Sequence, residues 1–249
     1  MLQAVTHATP SQPTLVLCEL GRPSLPDLES YSPFCVKVHR ALKAGGLAYT
    51  SRRAATPDGH RDVNPLRQVP VLLIDGRPVA DSTQILAALA DLQPTPAWAA
   101  IDPSQHAESL LWEELADTSL NGFLVAARWA DDRNWPNLLA AYFGAAPWPV
   151  RRLVAPAIRR RVLAGLVARD IWRAGPDACW RRFQILLDAL DRRAPTTGFW
   201  LGTTLGLADL SLFAQLHGLC TPLTPWQQSQ VHTRPRLHDW LTRVDLATR

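Results

Sequence analysis

Two different periodicities divide the chain. Through its first third, short apolar runs alternate with helical spacing. TLVLCEL (14–20) is apolar and β-branched, and short enough to predict a strand. In FCVKVHRALKAGG (34–46) Val36, Val38, Ala41 and Leu42 recur at helical spacing, and Gly45-Gly46 supplies a stop. AYTSRRA (48–54) predicts a second strand. PVLLIDGRPVA (70–80) reads as a hairpin turning at Asp75-Gly76. DSTQILAALADL (81–92) predicts an amphipathic helix opened by Asp81-Ser82. The predicted order is β-α-β followed by β-β-α.

Beyond QPTPAW and Pro103 the pattern turns helical almost throughout. Ser104 to Trp129 predicts one long helix, and 150–173, 177–193, 207–219 and 234–247 predict four more, with Pro156 kinking or breaking the first of these. The expected division is therefore a tail (1–12), a small α/β domain (13–92), a linker (93–103) and an all-helical domain (104–249).

Composition narrows the class. With 47% apolar and 19% charged residues among 249, the chain is a globular one. Its formal net charge of +4 is carried almost wholly by dispersed arginines, with Lys37 and Lys43 the only lysines, which argues against a nucleic-acid footprint. Cys18, Cys35, Cys179 and Cys220 are too scattered for a disulfide framework or a zinc site. No metal is expected: Asp131-Asp132 lacks a third ligand nearby and reads as a solvated or arginine-paired turn. The first residues lack a signal-peptide pattern, and no apolar run is long enough to span a bilayer. A cytoplasmic location is expected. The arginine-aliphatic segment 151–173 leaves peripheral membrane contact open.

Three short motifs carry candidate chemistry. YSPFC (31–35) lies between a strand and a helix, so Ser32 and Cys35 fall at a helix N-terminus, where free N–H groups and the dipole favour an anion such as a thiolate. Pro33 suits the first helical turn. A plain N-cap role for Ser32 explains the same residue. NPLRQVPVLLIDG (64–76) places Pro70 directly before a strand, a strand entry or a special turn. VADSTQIL (79–86) opens a helix with a cap that can also grip a ligand, Ser82 and the helix N–H groups taking a carboxylate and Asp81 an ammonium.

Together, in this order, S-P-F-C, Q-V-P and D-S followed by an all-helical domain resemble the glutathione transferase superfamily. FWLGTTLGLADLSLFAQL (199–216) resembles that family's helix-capping segment, with Asp209 closing a capping box; Gly206 stands where the family usually has Ser or Thr, so half the box is missing. GRPSLPDLESYSPFCVKVHRAL, AARWADDRNW and YFGAAPWPVRRLVAPAIRRRV look like the metaxin and failed-axon-connections branch.

The resemblance implies a thioredoxin-like N-domain before an all-α domain, with a Val69-Pro70 bond that is cis. It implies glutathione as co-substrate and a small hydrophobic electrophile. Ser32 would donate to the thiolate, aided by Pro33 and the helix start. Gln68, Val69 and Pro70 would meet the cysteinyl backbone, and Asp81 with Ser82 the γ-glutamyl end. Two rival donors stay open, Cys35 through mixed disulfides as a thiol-transferase and Tyr31 as hydroxyl donor. So does a third reading, a metaxin-like binding module without catalysis. A homodimer is expected, as in the family. Trp129, Trp135 and Trp148 flank the Asp131-Asp132 turn and are candidates for the cleft wall. His39, inside the first helix, is not expected to be catalytic.

Overall fold

The computed structural model describes residues 12–25, 27–93, 98 and 103–249. Most of the expected tail and linker lies outside these. Trp98, within the linker, is buried and donates from Nε1 to the Leu86 carbonyl.

The N-terminal part is a four-stranded mixed sheet with two helices: β1 (Leu15–Leu20), α1 (Pro33–Ala44), β2 (Thr50–Ala54), β3 (Val71–Ile74), β4 (Arg77–Ala80) and α2 (Ser82–Asp91). The order across the sheet is β2-β1-β3-β4. β1 runs parallel to β2 and antiparallel to β3, in a register that aligns Cys18 with Val71 and Val71 with Ala80. Asp75 and Gly76 both have positive φ (50° and 80°), as the tight β3–β4 turn needs. Pro78 is tolerated because β4 is the sheet edge. Leu17, Val71 and Leu72 are wholly buried, each stabilising the fold by about 1.5–3 kcal/mol.

The helical part comprises α3 (Pro103–Glu114), α4 (Asn121–Val125), α5 (Trp135–Phe143), α6 (Ala155–Ala168), α7 (Gly175–Arg193), α8 (Leu207–Leu219), α9 (Pro225–His232) and α10 (Pro235–Thr248). The long helix expected over 104–129 is continuous from Pro103 to Ala130 but turns π-helical twice, at Leu115–Leu120 and Ala126–Ala130. Pro156 does not break its helix. It sits in the first turn of α6, directly after a π-helical stretch at Val150–Val154, where its missing N–H costs nothing. The expected 150–173 helix stops at Ala168, before Asp170 turns the chain at φ 68°. α5 and α9 are additions to the expected helices; each opens with a proline in its first turn.

α1 joins the two parts. It packs against α2 on its own side and against α8 and α10 of the helical part, and nine of its twelve residues are buried. Asp209 holds the start of α8: it accepts hydrogen bonds from the Trp200 N–H (2.8 Å), the Gly206 N–H (2.9 Å) and Trp240 Nε1 (2.8 Å). The reciprocal half of that capping box is absent because Gly206 has no side chain.

Candidate functional site

Ser32 is the N-cap of α1. Its backbone is extended (φ −84°, ψ 118°) and its Oγ accepts from the Cys35 N–H at 3.4 Å. Ser30 braces the cap from behind, its Oγ accepting from the Ser32 N–H at 3.2 Å. Capping uses the oxygen of Ser32 as acceptor and leaves its O–H as a donor, so the structural and chemical roles are compatible in one side chain. Pro33 fills the first turn of the helix and is buried.

Neither rival donor is placed as Ser32 is. Cys35 has no exposed surface, and burial pushes its thiol up to about 12 despite contacts with the Ser32 and Ser30 hydroxyls. A thiol so placed is protonated at neutral pH and closed to a ligand's sulfur. The Tyr31 hydroxyl is tied elsewhere: it bonds to Ser24 Oγ (3.0 Å), accepts from the Ser24 N–H (3.2 Å) and reaches the Ala141 carbonyl (3.4 Å), while its ring packs on Tyr142 at 4.3 Å.

The second and third motifs meet at the same end of the sheet. The Val69-Pro70 peptide is cis. Asn64 braces the turn before it, its side chain bonding to the Gln68 carbonyl (3.0 Å) and the Leu66 N–H (3.1 Å); the side chain of Gln68 is in solvent. Because Val71 pairs with Ala80, Pro70 and Asp81 leave the sheet side by side. Asp81 has φ 77°, a conformation that costs a non-glycine residue about 1–3 kcal/mol. Its carboxylate caps α2 through the Thr83 (2.9 Å) and Gln84 (3.3 Å) N–H groups, and Ser82 is buried beneath it. Gln68, Val69, Pro70, Asp81 and Ser82 do not line the cavity that Ser32 lines; they continue the same edge beyond it.

That cavity is a cleft of about 680 Å³ between the loop leading to α1 and the helical part. Ser32, Pro33 and Phe34 form one wall, and Leu124, Trp129, Tyr142 and Ile158 the other. The π-helical stretch Ala126–Ala130 brings Arg128 and Trp129 to this wall together. Arg128 is only 4% exposed. It donates to the Tyr31 carbonyl (2.6 Å), the Gly218 carbonyl (2.9 Å) and the Tyr142 hydroxyl (3.3 Å), holding the residue just before Ser32 against α8 and α5. Burial raises the Tyr142 hydroxyl's pKa, against the pull of Arg128. Nothing in the sequence motifs pointed to Arg128 or Tyr142; the one signal was an arginine inside the apolar run LVAARWA. Of the three candidate tryptophans, Trp129 lines the cleft, Trp135 packs between Trp129 and Arg159, and Trp148 is 69% exposed. Asp131 and Asp132 are paired with Arg133 and Arg159, as an arginine-paired turn requires.

Beneath the site lies a buried ionic cluster. Lys37, fully buried on α1, pairs with Glu113 and with Asp117 at 3.0 Å; Glu113 also accepts from the Thr83 hydroxyl at 2.8 Å. Desolvation raises the Asp117 pKa against the attraction of Lys37. The cluster therefore locks α1, α2 and the helical part together. A larger polar cavity of about 800 Å³ lies across the 21–31 loop, with only Arg22 lining both. Its charges are mostly paired among themselves, in a chain running Lys43–Glu29–Arg40–Asp245–Arg249. His39, buried, bonds to Glu19 and Tyr49 at its floor, away from Ser32. The Ser32 cleft is the better candidate, since it joins a helix N-terminus to an apolar wall.

A β2-β1-β3-β4 sheet with a cis-proline before β3 and a serine capping α1, followed by an all-helical part, defines the class: a thioredoxin-like domain joined to a helical one. Two family models match, glutathione S-transferase N-terminal domain over residues 31–92 and glutathione S-transferase C-terminal domain over 156–243. The chain belongs to the glutathione S-transferase superfamily. A probable maleylacetoacetate isomerase 1 from Drosophila melanogaster is 36% identical over 72 residues, 29% of this chain and 29% of that protein. Among solved structures, a glutathione S-transferase from Rhodospirillum rubrum F11 has 18% identity and TM-score 0.61, over 93% of this chain and 87% of that one. A beta-etherase from Sphingobium sp. strain SYK-6 has 22% identity and TM-score 0.60, over 93% and 95%. A glutathione S-transferase from Methylobacillus flagellatus KT, solved with glutathione bound, has 18% identity and TM-score 0.56, over 92% and 94%. These structural likenesses are ones of fold.

Proposed function

We propose that the protein binds glutathione along the edge from Ser32 to Asp81 and activates its thiol for attack on a small electrophile held against the helical part. The observation that carries this is the capping serine facing an apolar cleft, with the cis-proline and the strained Asp81 set on the same sheet edge. Dimensions support it. β1 and β4 are separated by two inter-strand spacings, about 10 Å, which an extended tripeptide of about 3.5 Å per residue spans. Its thiol then meets the Ser32 O–H and the α1 N–H groups, its cysteinyl backbone meets Val69 before Pro70, and its γ-glutamyl group meets Asp81 and Ser82.

In this reading the bound thiol gives its proton to solvent. The sulfur's electron pair then forms the bond to the electrophilic carbon, and the leaving group departs with the pair it shared with that carbon. Ser32 stabilises the thiolate and takes no covalent part. A hydrogen bond to a charged group contributes about 1.5–3 kcal/mol, or about 1–2 units of thiol pKa. The relatives are named for different chemistries, an isomerase matched over 72 residues and a beta-etherase of similar fold, so they leave the electrophile open. A cytoplasmic location is proposed with this activity; among the described residues no helix is long and apolar enough to cross a membrane.

Calorimetry with glutathione tests the reading. Saturable binding with proton release, retained in Cys35→Ala, is expected, with conjugating activity lost in Ser32→Ala. No heat up to millimolar glutathione would sink it and leave the non-catalytic, metaxin-like module as the better account. Loss of activity in Cys35→Ala with Ser32→Ala active would move the chemistry to the cysteine.

A further inference from the structure

The Ser32 cleft has a sign. Among the described residues two charged side chains line it, Arg22 and Arg128, and no carboxylate does. The other buried cations of α1 have counter-ions: Lys37 has Glu113 and Asp117, and Arg40 has Glu29 and Asp245. Arg128, equally buried, bonds among the described residues to the neutral Tyr31 and Gly218 carbonyls and the Tyr142 hydroxyl alone, and its Nε has no partner among them. Arg22 is exposed and forms no ion pair among the described residues. A guanidinium keeps its charge in any environment, and these neutral acceptors offset its desolvation without neutralising that charge, which is left facing the cleft. The wall facing these cations is aromatic and aliphatic, through Phe34, Trp129, Tyr142, Phe143 and Ile158.

We propose that the electrophile accepted here is an apolar, preferably aromatic compound carrying a carboxylate or equivalent anionic group. Arg22 pairs with that group at the mouth of the cleft, and Arg128 supplies the fixed positive field behind it. This rests on the reading of Ser32 as the thiol-activating residue, and it makes Arg22 and Arg128 specificity residues. The conjugation itself is unchanged: glutathione sulfur bonds to the electrophilic carbon and the leaving group departs with the electron pair it shared with that carbon.

The test compares two probes that differ in one charge, a para-carboxylated chlorodinitrobenzene and its uncharged carboxamide, each corrected for its uncatalysed rate with glutathione. The wild-type kcat/KM should favour the carboxylate by about tenfold to a hundredfold, the range of a charge-assisted contact. Arg22→Gln and Arg128→Gln should each shrink that ratio, and Arg128→Lys should restore part of it. Arg128 also holds the Tyr31 carbonyl, so Arg128→Gln will slow both probes; only the ratio reports on charge. A wild-type ratio near one overturns the proposal. So does a high ratio that neither substitution changes, or a pattern in which the substitutions weaken glutathione binding and leave the ratio alone. If neither probe is turned over, neither is an electrophile for this site, and the transferase reading is decided by the glutathione calorimetry. The inference is then decided by calorimetry with unreactive nitrobenzoate and nitrobenzamide, where tighter nitrobenzoate binding lost in Arg22→Gln supports it and equal binding overturns it.

Discussion

Replacing Asp209 should be among the most damaging single changes to this fold, and three hydrogen bonds set its size. The carboxylate, 1% exposed, accepts from the Trp200 N–H, the Gly206 N–H and Trp240 Nε1. Asp209→Ala leaves all three donors without a partner. Each orphaned buried donor costs about 1–3 kcal/mol, and the Gly206 bond is part of a helix cap costing about 1 kcal/mol. The expected loss is about 3–6 kcal/mol, a large share of a typical 5–15 kcal/mol total. Urea denaturation followed by tryptophan fluorescence reads it directly, since Trp200 and Trp240 meet edge to face at 4.8 Å beside the carboxylate.

The same residue gives a pH signature. Burial lifts the Asp209 carboxyl from 3.8 to about 6, against the pull of its three donors. A folded-state pKa above the unfolded one means a stabilising contribution that is complete below the unfolded value and disappears as pH rises through the folded value. Two units correspond to about 3 kcal/mol, lost between about pH 4 and pH 6. Asp209→Asn lacks this titration. Wild type minus Asp209→Asn should therefore be about 2 kcal/mol more favourable at pH 4, where the unfolded carboxyl is already partly ionised, than at pH 7. A loss under about 1 kcal/mol in Asp209→Ala, or a pH-independent difference from Asp209→Asn, would refute the reasoning.

Two further changes have defined signs. Lys37→Met removes the cation between Glu113 and Asp117 and leaves a buried and a half-buried carboxylate facing each other, so the urea midpoint should fall by the equivalent of about 3–5 kcal/mol. Gly206→Ser completes the capping box at a position whose φ of −127° any residue adopts and where a Cβ meets only Asp209 Oδ2 at 3.5 Å; the same assay should show a gain of a few tenths of a kcal/mol to about 1.

The sheet was readable because its signals are local. Asp75-Gly76 favours a tight turn, Pro70 marks a strand entry or a special turn, and Asp81-Ser82 suits the start of α2. α1 was readable as a helix but its environment was not. Its polar residues Lys37, His39 and Arg40 are all buried. Their partners Glu113, Asp117, Glu19 and Asp245 come from distant segments that no short-range pattern connects to α1. The π-helical stretches escaped for a related reason: tertiary packing, not composition, selects them, and one of them delivers Arg128 and Trp129 to the cleft. α5 and α9 did leave a signal, Pro136 and Pro225 at helix starts, but both helices are too short for periodicity to show.

The central claim is that Ser32 stabilises a ligand's thiolate, and the far-ultraviolet thiolate absorbance of bound glutathione tests it most directly. Titrated with pH, the wild-type complex should show a thiol pKa about 1–2 units below that of free glutathione, and Ser32→Ala should return it toward the free value while still binding the tripeptide. An unshifted thiol in the wild-type complex, or a shift that survives in Ser32→Ala, would contradict the account.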